Sequence, residues 1–199
     1  MKLYYAPGAC SLSPHIALCE SGLKFDTVKV DLRAKKTADG EDFSTVNPKG
    51  YVPALRLDDG QVLTEGPAIV QYVADQKPDS GLAPKTGSVE RYRLQEWLNF
   101  ISTELHKQFS PLFNPALPDA GKDIFKGNIA KRLEWVNGQL QGKQYLTGDK
   151  FTVADGYLFV ILRWAKGMKM ELPAAVNAFF DRVAARPKVA EALKAEGLA

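Results

Sequence analysis

The sequence predicts a small α/β domain followed by an all-α domain, and three observations support this prediction. A short apolar strand at residues 2–5 is followed by a helix-forming segment and by an alternating segment at 23–31, the order of a βαβ unit with parallel strands. The pair Asp59-Gly60 separates two further alternating segments, as in a β-hairpin. After residue 87 strand patterns disappear and amphipathic helices follow.

These patterns also predict where the domains begin and end. Residues 1–77 are expected to form the α/β domain, and the Pro- and Gly-rich stretch 78–87 to form a linker. Residues 88–199 are expected to form the helical domain. Its predicted helices are 88–109, 123–140, 152–166, 173–185 and 187–196, and a helix of the first domain starts at Pro67. The polar residues 32–43, which carry Arg33, Lys35 and Lys36, are expected to form a loop or an irregular helix.

Charge and composition exclude several classes of protein. The net charge is only +3, which indicates neither a nucleic-acid nor a membrane-surface partner. The longest apolar run, 157–162, is too short to span a bilayer, and no basic-then-apolar leader opens the chain. The two cysteines, Cys10 and Cys19, have no metal-ligand spacing and are a poor disulfide pair. We therefore expect reduced thiols, no metal and a cytoplasmic location.

Cys10 is placed where the first strand ends and the first helix begins. At such a position the N–H groups and the positive end of the helix dipole stabilise a thiolate, which lowers a cysteine pKa from its usual value of about 8.5. Ser11 or Ser13 is the predicted N-cap of this helix. This stretch alone is equally consistent with a reactive thiol and with a small buried apolar side chain.

Two patterns in the helical part of the chain differ in their meaning. The uncharged polar residues of helix 88–109 share one face, which a solvated surface would explain; its low charge and its histidine favour instead the wall of a cleft between the domains. By contrast, Thr152 and Asp155 have the spacing of a capping box and are expected to be structural. Three tryptophans, Trp97, Trp135 and Trp164, are expected to anchor the core. The polar face consists of Gln95, Asn99, Ser102, Thr103 and His106.

Five motifs together make the chain resemble the cytosolic glutathione transferases, and within them the bacterial beta class, which has Cys in place of the usual Tyr or Ser. They are ACSLSPH at 9–15, NPKGYVPAL at 47–55, LTE at 63–65, ELHK at 104–107 and TVAD at 152–155. The resemblance runs from end to end. It implies an α/β thioredoxin-like N-terminal domain plus an all-α C-terminal helical domain with the acceptor site. It also implies a homodimer that uses glutathione as co-substrate.

The resemblance further implies how glutathione is bound. Pro53 is expected in cis, with the N–H and C=O of Val52 pairing with the cysteinyl backbone. Glu65 is expected to hold the α-ammonium and Lys35 the glycyl carboxylate. Gly66 stands where many relatives have Ser, which removes one hydroxyl contact. The whole expected set is Cys10, Ser11, Lys35, Tyr51, Val52, Pro53, Glu65, Gly66, Asn99, Thr103, Glu104 and Lys107, some of them acting across the dimer interface.

Cys10 and His106 are the expected catalytic residues. The glutathione sulfur would lie beside Cys10, with a mixed disulfide allowed, and His106 would hydrogen-bond to a sulfur and assist proton transfer. The substrate would be a small hydrophobic electrophile attacked by glutathione, or a disulfide or quinone reduced by both thiols. Ser11 is a second possible thiolate donor, whereas Tyr5 and His15 are expected to be structural. Phe109 and Phe113 line the acceptor pocket or pack in the core or dimer.

A second hypothesis is a non-catalytic protein of the same fold that acts as an interaction module. The presence of Cys10, Glu65 and His106 in one chain argues against it, because a scaffold needs none of them. A carrier of apolar ligands is a weaker third reading. Detoxification, breakdown of aromatic compounds and redox repair are all compatible with the predicted chemistry.

Overall fold

The structure is a computed structural model that describes all residues from Met1 to Ala199. The chain forms two compact units, the first made of Met1–Ala83 with Ala185–Ala199 and the second of Pro84–Ala184. The boundary at residue 83 lies within the predicted linker. The last fifteen residues belong to the first unit, although the sequence had placed them with the helical domain.

The first unit is built on a five-stranded mixed sheet with strand order β3-β2-β1-β4-β5. β1 pairs with β2 in parallel and with β4 antiparallel, and β4 and β5 form an antiparallel hairpin across Asp59-Gly60. The predicted βαβ unit and hairpin are thus confirmed. The elements are β1 (Lys2–Tyr5), α1 (Leu12–Ser21), β2 (Asp26–Asp31), β3 (Lys36–Thr37), α2 (Phe43–Val46), β4 (Ala54–Arg56), β5 (Val62–Thr64) and α3 (Gly66–Gln76), followed by a 3₁₀ turn at Pro78–Ser80.

Residues 32–43 contain a short strand that the sequence pattern did not predict. β3 pairs antiparallel with the end of β2, so that Val30 lies opposite Thr37. The one-turn helix α2 then begins where the Asp42 carboxylate accepts a hydrogen bond from the Ser44 N–H at 2.9 Å. Two residues are too few to show an alternation of apolar and polar side chains, so only the pairing with β2 identifies this strand.

The first unit has a continuous apolar core beneath the sheet. Its fully enclosed members include Tyr4 from β1, Val30 from β2 and Ala54 from β4. The Tyr4 ring packs at 5.8 Å from that of Phe43. This core holds the end of β1, which precedes Cys10, and the start of β4, which follows Val52.

The C-terminal helix α9 (Pro187–Ala195) packs within the first unit against α1. Just before it, the Arg186 guanidinium binds the Glu20 carboxylate through two hydrogen bonds of 2.6 and 2.8 Å. Such a two-bonded arginine pair fixes orientation as well as supplying charge attraction. The contact explains why the end of the chain groups with the α/β part.

The second unit is helical throughout, but its first helix is not continuous as predicted. α4 (Val89–Phe100) is followed by a π-helical segment at Ile101–His106, and only then by α5 (Lys107–Phe109). A π segment bonds i to i+5 and so rotates the following side chains away from an ideal α-helical face. The predicted polar face is therefore interrupted at the segment that carries Thr103 and His106. The remaining elements are a 3₁₀ turn at Ser110–Phe113, α6 (Asp119–Gln139), α7 (Val153–Gly167) and α8 (Ala174–Ala184).

α7 is buried on nearly every side and begins with the predicted capping box. The Asp155 carboxylate accepts hydrogen bonds from the N–H of Thr152 at 2.7 Å, from its hydroxyl at 2.8 Å, and from the N–H of Leu146 at 2.8 Å. Burial nevertheless raises the pKa of Asp155 to about 6. None of the helices in the chain combines the length and the apolar composition that a membrane crossing requires.

Replacing Asp155 with Asn should destabilise the protein more at pH 4 than at pH 7. The raised pKa means that Asp155 contributes stability that is fully present below its unfolded pKa and is lost as the pH rises through about 6. The two destabilisations should differ by up to about 3 kcal/mol. Denaturant unfolding at the two pH values measures this, with exposed Asp149→Asn as a control that should behave alike at both. A larger loss at pH 7 would contradict the expectation.

Candidate functional site

Cys10 lies at the junction of β1 and α1, half-buried, with its thiol directed at the chain before β4. The thiol donates a hydrogen bond to the Val52 carbonyl oxygen at 3.4 Å. The Val52–Pro53 peptide bond is cis, as the resemblance implied. The motifs at 9–15 and 47–55 are thereby brought into contact within the first unit.

Ser11 does not have the role that the sequence suggested. It occupies the N-cap position of α1, but its hydroxyl makes no cap and instead binds the backbone of Ala6, accepting from the N–H at 3.1 Å and contacting the C=O at 3.2 Å. The residue is fully buried. The predicted capping hydrogen bond is therefore absent, because that hydroxyl bridges the turn, whereas a contact between Ser11 and a thiolate stays a prediction.

Glu196, from the end of α9, reaches under the turn that precedes Cys10. Its carboxylate accepts a hydrogen bond from the Gly8 N–H at 2.9 Å and binds His15 Nδ1 at 2.9 Å. The side chains of Glu196 and His15 are both almost completely buried. His15 is structural, as expected, and it shares its partner with the loop that carries the thiol.

Glu65 is the centre of a polar cluster at the start of α3. Its carboxylate accepts hydrogen bonds from Lys49 Nζ at 2.7 Å and from the Tyr51 hydroxyl at 2.8 Å, and Lys49 also reaches the Thr64 hydroxyl at 3.0 Å. By accepting these bonds, Glu65 raises the pKa of Lys49 and of Tyr51. All three side chains are substantially exposed, so the carboxylate is accessible to a cation from solution.

Gly66 follows directly and opens α3, with Pro67 in its first turn. A Cβ added at Gly66 would meet only Pro53 Cγ, at 4.0 Å. The glycine is therefore not required by crowding, and no positive φ requires it either. The Cβ of a serine therefore fits this position in ordinary van der Waals contact.

Lys35 lies within the basic cluster and is exposed. Its Nζ donates to the Gly50 carbonyl oxygen at 2.6 Å, which places the ammonium beside the same 47–55 motif that carries Lys49 and Tyr51. The 47–55 motif, which contains Tyr51, Val52, Pro53 and the unpredicted Lys49, is thus hydrogen-bonded both to Lys35 and to Glu65.

In the second unit, the predicted binding residues have partners of their own. The Thr103 hydroxyl donates to the Asn99 carbonyl oxygen at 3.1 Å. Glu104 pairs with Arg132 of α6 through contacts of 2.8 and 2.9 Å, whereas Lys107 is exposed at the start of α5. The Glu104 carboxylate is thus engaged by an arginine that the sequence analysis did not consider.

His106 is the last residue of the π segment, and an aromatic wall from α7 holds it. Its Nδ1 lies 2.6 Å from the Tyr157 hydroxyl, and its ring packs edge-on against Tyr157 and, at 5.0 Å, Trp164. The Trp164 ring in turn contacts Phe109 at 5.7 Å and Phe113 at 5.4 Å. α7 therefore does more than fill the core, since it orients the predicted catalytic histidine.

The aromatic residues divide between core and surface differently from the expectation. Phe109 is fully buried, whereas Phe113 is 56% exposed beside Trp164. Trp135 is 47% exposed, so its assignment as a core anchor is wrong. Its ring lies 4.6 Å from that of Phe100, which in turn packs edge-on against Trp97.

Cys19 is less accessible than Cys10. It is buried within α1, and burial raises its pKa to about 11, so that it is protonated at neutral pH. Neither cysteine forms a disulfide, and no group of three or more His, Cys, Asp or Glu side chains is arranged to hold a metal ion.

Sequence reasoning missed three residues of this region: Lys49, Tyr157 and Glu196. Lys49 lies inside the NPKG motif, but the sequence does not show that its ammonium reaches Glu65, sixteen residues further along the chain. Tyr157 lies in an apolar run, where a single hydroxyl predicts no partner. Glu196 is an ordinary acidic residue near the chain end, and no local pattern indicates that it is buried.

Comparison with known proteins agrees with this geometry. The glutathione S-transferase N-terminal domain model matches residues 8–76 and the C-terminal domain model matches residues 100–187. The chain is 51% identical to the glutathione S-transferase GstA of Escherichia coli O157:H7 over the full length of both.

Two solved structures extend the comparison to the fold. A sphingomonad glutathione S-transferase complexed with glutathione is 51% identical, and the bacterial beta class glutathione S-transferase of Sphingomonas chungbukensis is 50% identical. Each covers all of both chains with a TM-score of 0.96. The expected thioredoxin-like and helical domains are confirmed, and the chain belongs to the glutathione S-transferases, within the bacterial beta class.

Proposed function

We propose that this chain is a glutathione S-transferase that joins the thiol of glutathione to small hydrophobic electrophiles. The observation that carries the proposal is the Cys10 thiol at the β1–α1 junction, hydrogen-bonded to Val52 in the same unit as the Glu65 cluster. A thiol and charged groups suited to both ends of a tripeptide lie on one unit of a chain that belongs to this family.

The charged ends of glutathione match the charged residues of the first unit. Glu65 binds the α-ammonium of the γ-glutamyl end, replacing contacts to Lys49 and Tyr51 with a ligand cation. Lys35 now donates to a neutral carbonyl oxygen, and a glycyl carboxylate is a stronger acceptor for the same ammonium. The N–H of Gly66, at the start of α3, takes the γ-glutamyl carboxylate.

The middle of the ligand is bound by backbone. Val52 pairs in a strand-like manner with the cysteinyl residue, next to Pro53 and with the glutathione sulfur beside Cys10. Ser11 contributes through its backbone N–H, since its hydroxyl is engaged with Ala6. Asn99, Thr103, Glu104 and Lys107 remain proposed contacts of the helical domain, in part across a dimer interface.

Two reactions follow from this arrangement. In conjugation, the glutathione thiol releases its proton to solvent and the thiolate attacks the electrophilic carbon; a C–S bond forms and the leaving group departs as an anion. In exchange, the Cys10 thiolate attacks oxidised glutathione; the S–S bond breaks, a Cys10–glutathione disulfide forms and one glutathione thiolate leaves. His106 remains the second proposed catalytic residue, and the exposed Phe113 beside Trp164 is the proposed contact for the electrophile.

A non-catalytic interaction module is the less favoured alternative. Such a protein would retain the two-domain fold but would require neither a thiol at the first helix start nor a histidine oriented by a buried tyrosine. Both are present here. The chain also belongs throughout its length to a family of transferases.

Oxidised glutathione should modify Cys10 and leave Cys19 unchanged. Mass spectrometry of the incubated protein should find a single adduct, absent in Cys10→Ala and retained in Cys19→Ala, because Cys19 is buried with a pKa of about 11. The wild type should also bind immobilised glutathione and conjugate it to an activated aryl chloride. A protein with no adduct, no retention and no conjugation would support the interaction module instead.

Gly66→Ser should strengthen glutathione binding. The added Cβ meets only Pro53 Cγ, at 4.0 Å, and the hydroxyl that it carries supplies a donor to the γ-glutamyl carboxylate. A hydrogen bond to a charged group predicts about a tenfold lower Kd, or about 1.4 kcal/mol. Calorimetric titration measures this, with Gly66→Ala as the matched control that adds the Cβ alone. Equal gains in both variants would assign the effect to the backbone rather than to the hydroxyl.

We also propose that the chain is a cytoplasmic homodimer. Two reduced cysteines suit a reducing compartment, and the cluster of Trp97, Phe100 and Trp135 exposes large aromatic surface of the kind found at interfaces. Trp135→Glu should shift the mass measured by light scattering from dimer towards monomer. Lys143→Glu, an exposed change outside the cluster, should leave the mass unaltered. A monomeric wild type would refute the dimer.

A further inference from the structure

Tyr157 is a polar residue within an otherwise apolar buried helix. It is 3% exposed, and the residues that follow it from Leu158 to Leu162 are fully enclosed. The other buried polar side chain of α7, Asp155, is explained by the capping box. A buried hydroxyl is costly unless it is hydrogen-bonded, and the structure supplies that bond at His106 Nδ1, 2.6 Å away.

The chemistry of the two groups gives this bond a direction. A neutral imidazole has one N–H and one nitrogen lone pair, and the lone pair is a better acceptor than a phenol oxygen. The tyrosine hydroxyl is therefore the donor and Nδ1 is the acceptor. Because Nδ1 accepts, the single proton of neutral His106 lies on Nε2.

The same helix fixes the plane of the imidazole ring. Tyr157 and Trp164 are seven residues apart, which places them on one face of α7. Both contact the His106 ring edge-on, at 5.8 and 5.0 Å between centroids. The hydroxyl thus selects the tautomer while two aromatic rings restrict rotation of the imidazole.

We propose that Tyr157 is a positioning residue that holds neutral His106 as its Nε2–H tautomer, so that His106 acts as a hydrogen-bond donor through Nε2. The inference rests on the proposed transferase function, and it alters the role expected of the histidine. With Nε2 already protonated and Nδ1 occupied, His106 stabilises a thiolate as a donor and does not remove the thiol proton, which passes to solvent. Charge-assisted bonds to a sulfur anion are the contribution that this geometry favours.

The second histidine provides an internal reference with the opposite pattern. His15 Nδ1 faces the Glu196 carboxylate, which also accepts the Gly8 N–H. An ionised carboxylate only accepts hydrogen bonds, so Nδ1 of His15 carries a proton. The chain contains only these two histidines, so their signals can be separated by one variant.

The decisive experiment is ¹⁵N NMR of histidine-labelled protein in the pH range where the His106 signals no longer change with pH. The His106 signals, assigned by their loss in His106→Asn, should show an unprotonated Nδ1 and a protonated Nε2, whereas His15 should show a protonated Nδ1. In Tyr157→Phe the His106 nitrogens should shift towards values averaged over both tautomers. A protonated Nδ1 on His106 in the wild type, or unchanged His106 signals in Tyr157→Phe, overturns the proposal.

Kinetics distinguish positioning from a purely structural role. Tyr157→Phe should lower kcat for conjugation about tenfold while the KM for glutathione stays within twofold, since the first unit is untouched. Tyr145→Phe makes the same chemical change at another buried tyrosine of the second unit and should alter neither kcat nor the His106 signals.

The two proposals fail in different ways. A wild type without conjugating activity would refute the proposed function, while the NMR spectrum would still decide the His106 tautomer. If Tyr157→Phe does not fold, the wild-type spectrum alone decides the proposal. Equal loss of kcat in the Tyr157 and Tyr145 variants would make the Tyr157 effect structural and overturn the positioning role.

Discussion

A buried carboxylate near the end of the chain governs the geometry around the reactive thiol. One carboxylate oxygen of Glu196 accepts a hydrogen bond from the Gly8 N–H and the other binds His15. The turn before Cys10 and the helix after it are therefore held by the same side chain. Burial of an unpaired carboxylate costs several kcal/mol, and only well-formed partners offset it. If the turn moved away from α1, the buried carboxyl group of Glu196 would lose a hydrogen bond, so the position of Cys10 depends on a residue at the other end of the chain.

Local patterns explain why much of the fold could be predicted. The parallel β1–β2 pair, the hairpin at Asp59-Gly60 and the capping box of α7 each depend on residues within a few positions of one another. β3 and the π segment at Ile101–His106 could not be predicted in this way. The first exists only through pairing with β2, and the second changes the hydrogen-bond register without any proline or glycine to mark it.

The candidate functional residues also divide into those that a local pattern reveals and those that depend on distant contacts. Cys10 was identifiable because a thiol at a strand–helix junction has a local chemical meaning. The predicted capping role of Ser11 was wrong, since its hydroxyl could equally have capped the helix or bridged the turn, and only the path of the chain after β1 decides in favour of Ala6. Tyr157 required knowledge of how α7 packs against the π segment. Sequence reasoning thus identifies residues whose chemistry follows from their local position in the chain, and it misses residues whose role depends on a partner that is distant in sequence.

Backbone conformation adds a physical argument for the ligand-binding roles of the first unit. Only three non-glycine residues have positive φ: Lys35 at 55°, Glu65 at 69° and Lys169 at 57°. Two of these are the residues proposed to hold the opposite charged ends of glutathione. A conformation of this kind costs on the order of 1 kcal/mol or more in each residue and persists only where its surroundings enforce it.

The surroundings of both residues do enforce it. The Lys35 carbonyl oxygen accepts from the Phe43 N–H at 2.8 Å, and the Glu65 carbonyl oxygen accepts from the N–H groups of Ala68 and Ile69, near the start of α3, at 3.0 Å. Neither conformation is needed for the strands to pair, since both residues lie outside them. Each of these conformations thus sets the direction of a side chain, an ammonium or a carboxylate, that is proposed to bind one charged end of glutathione. Such preorganisation lowers the ordering entropy that binding a flexible tripeptide would otherwise cost.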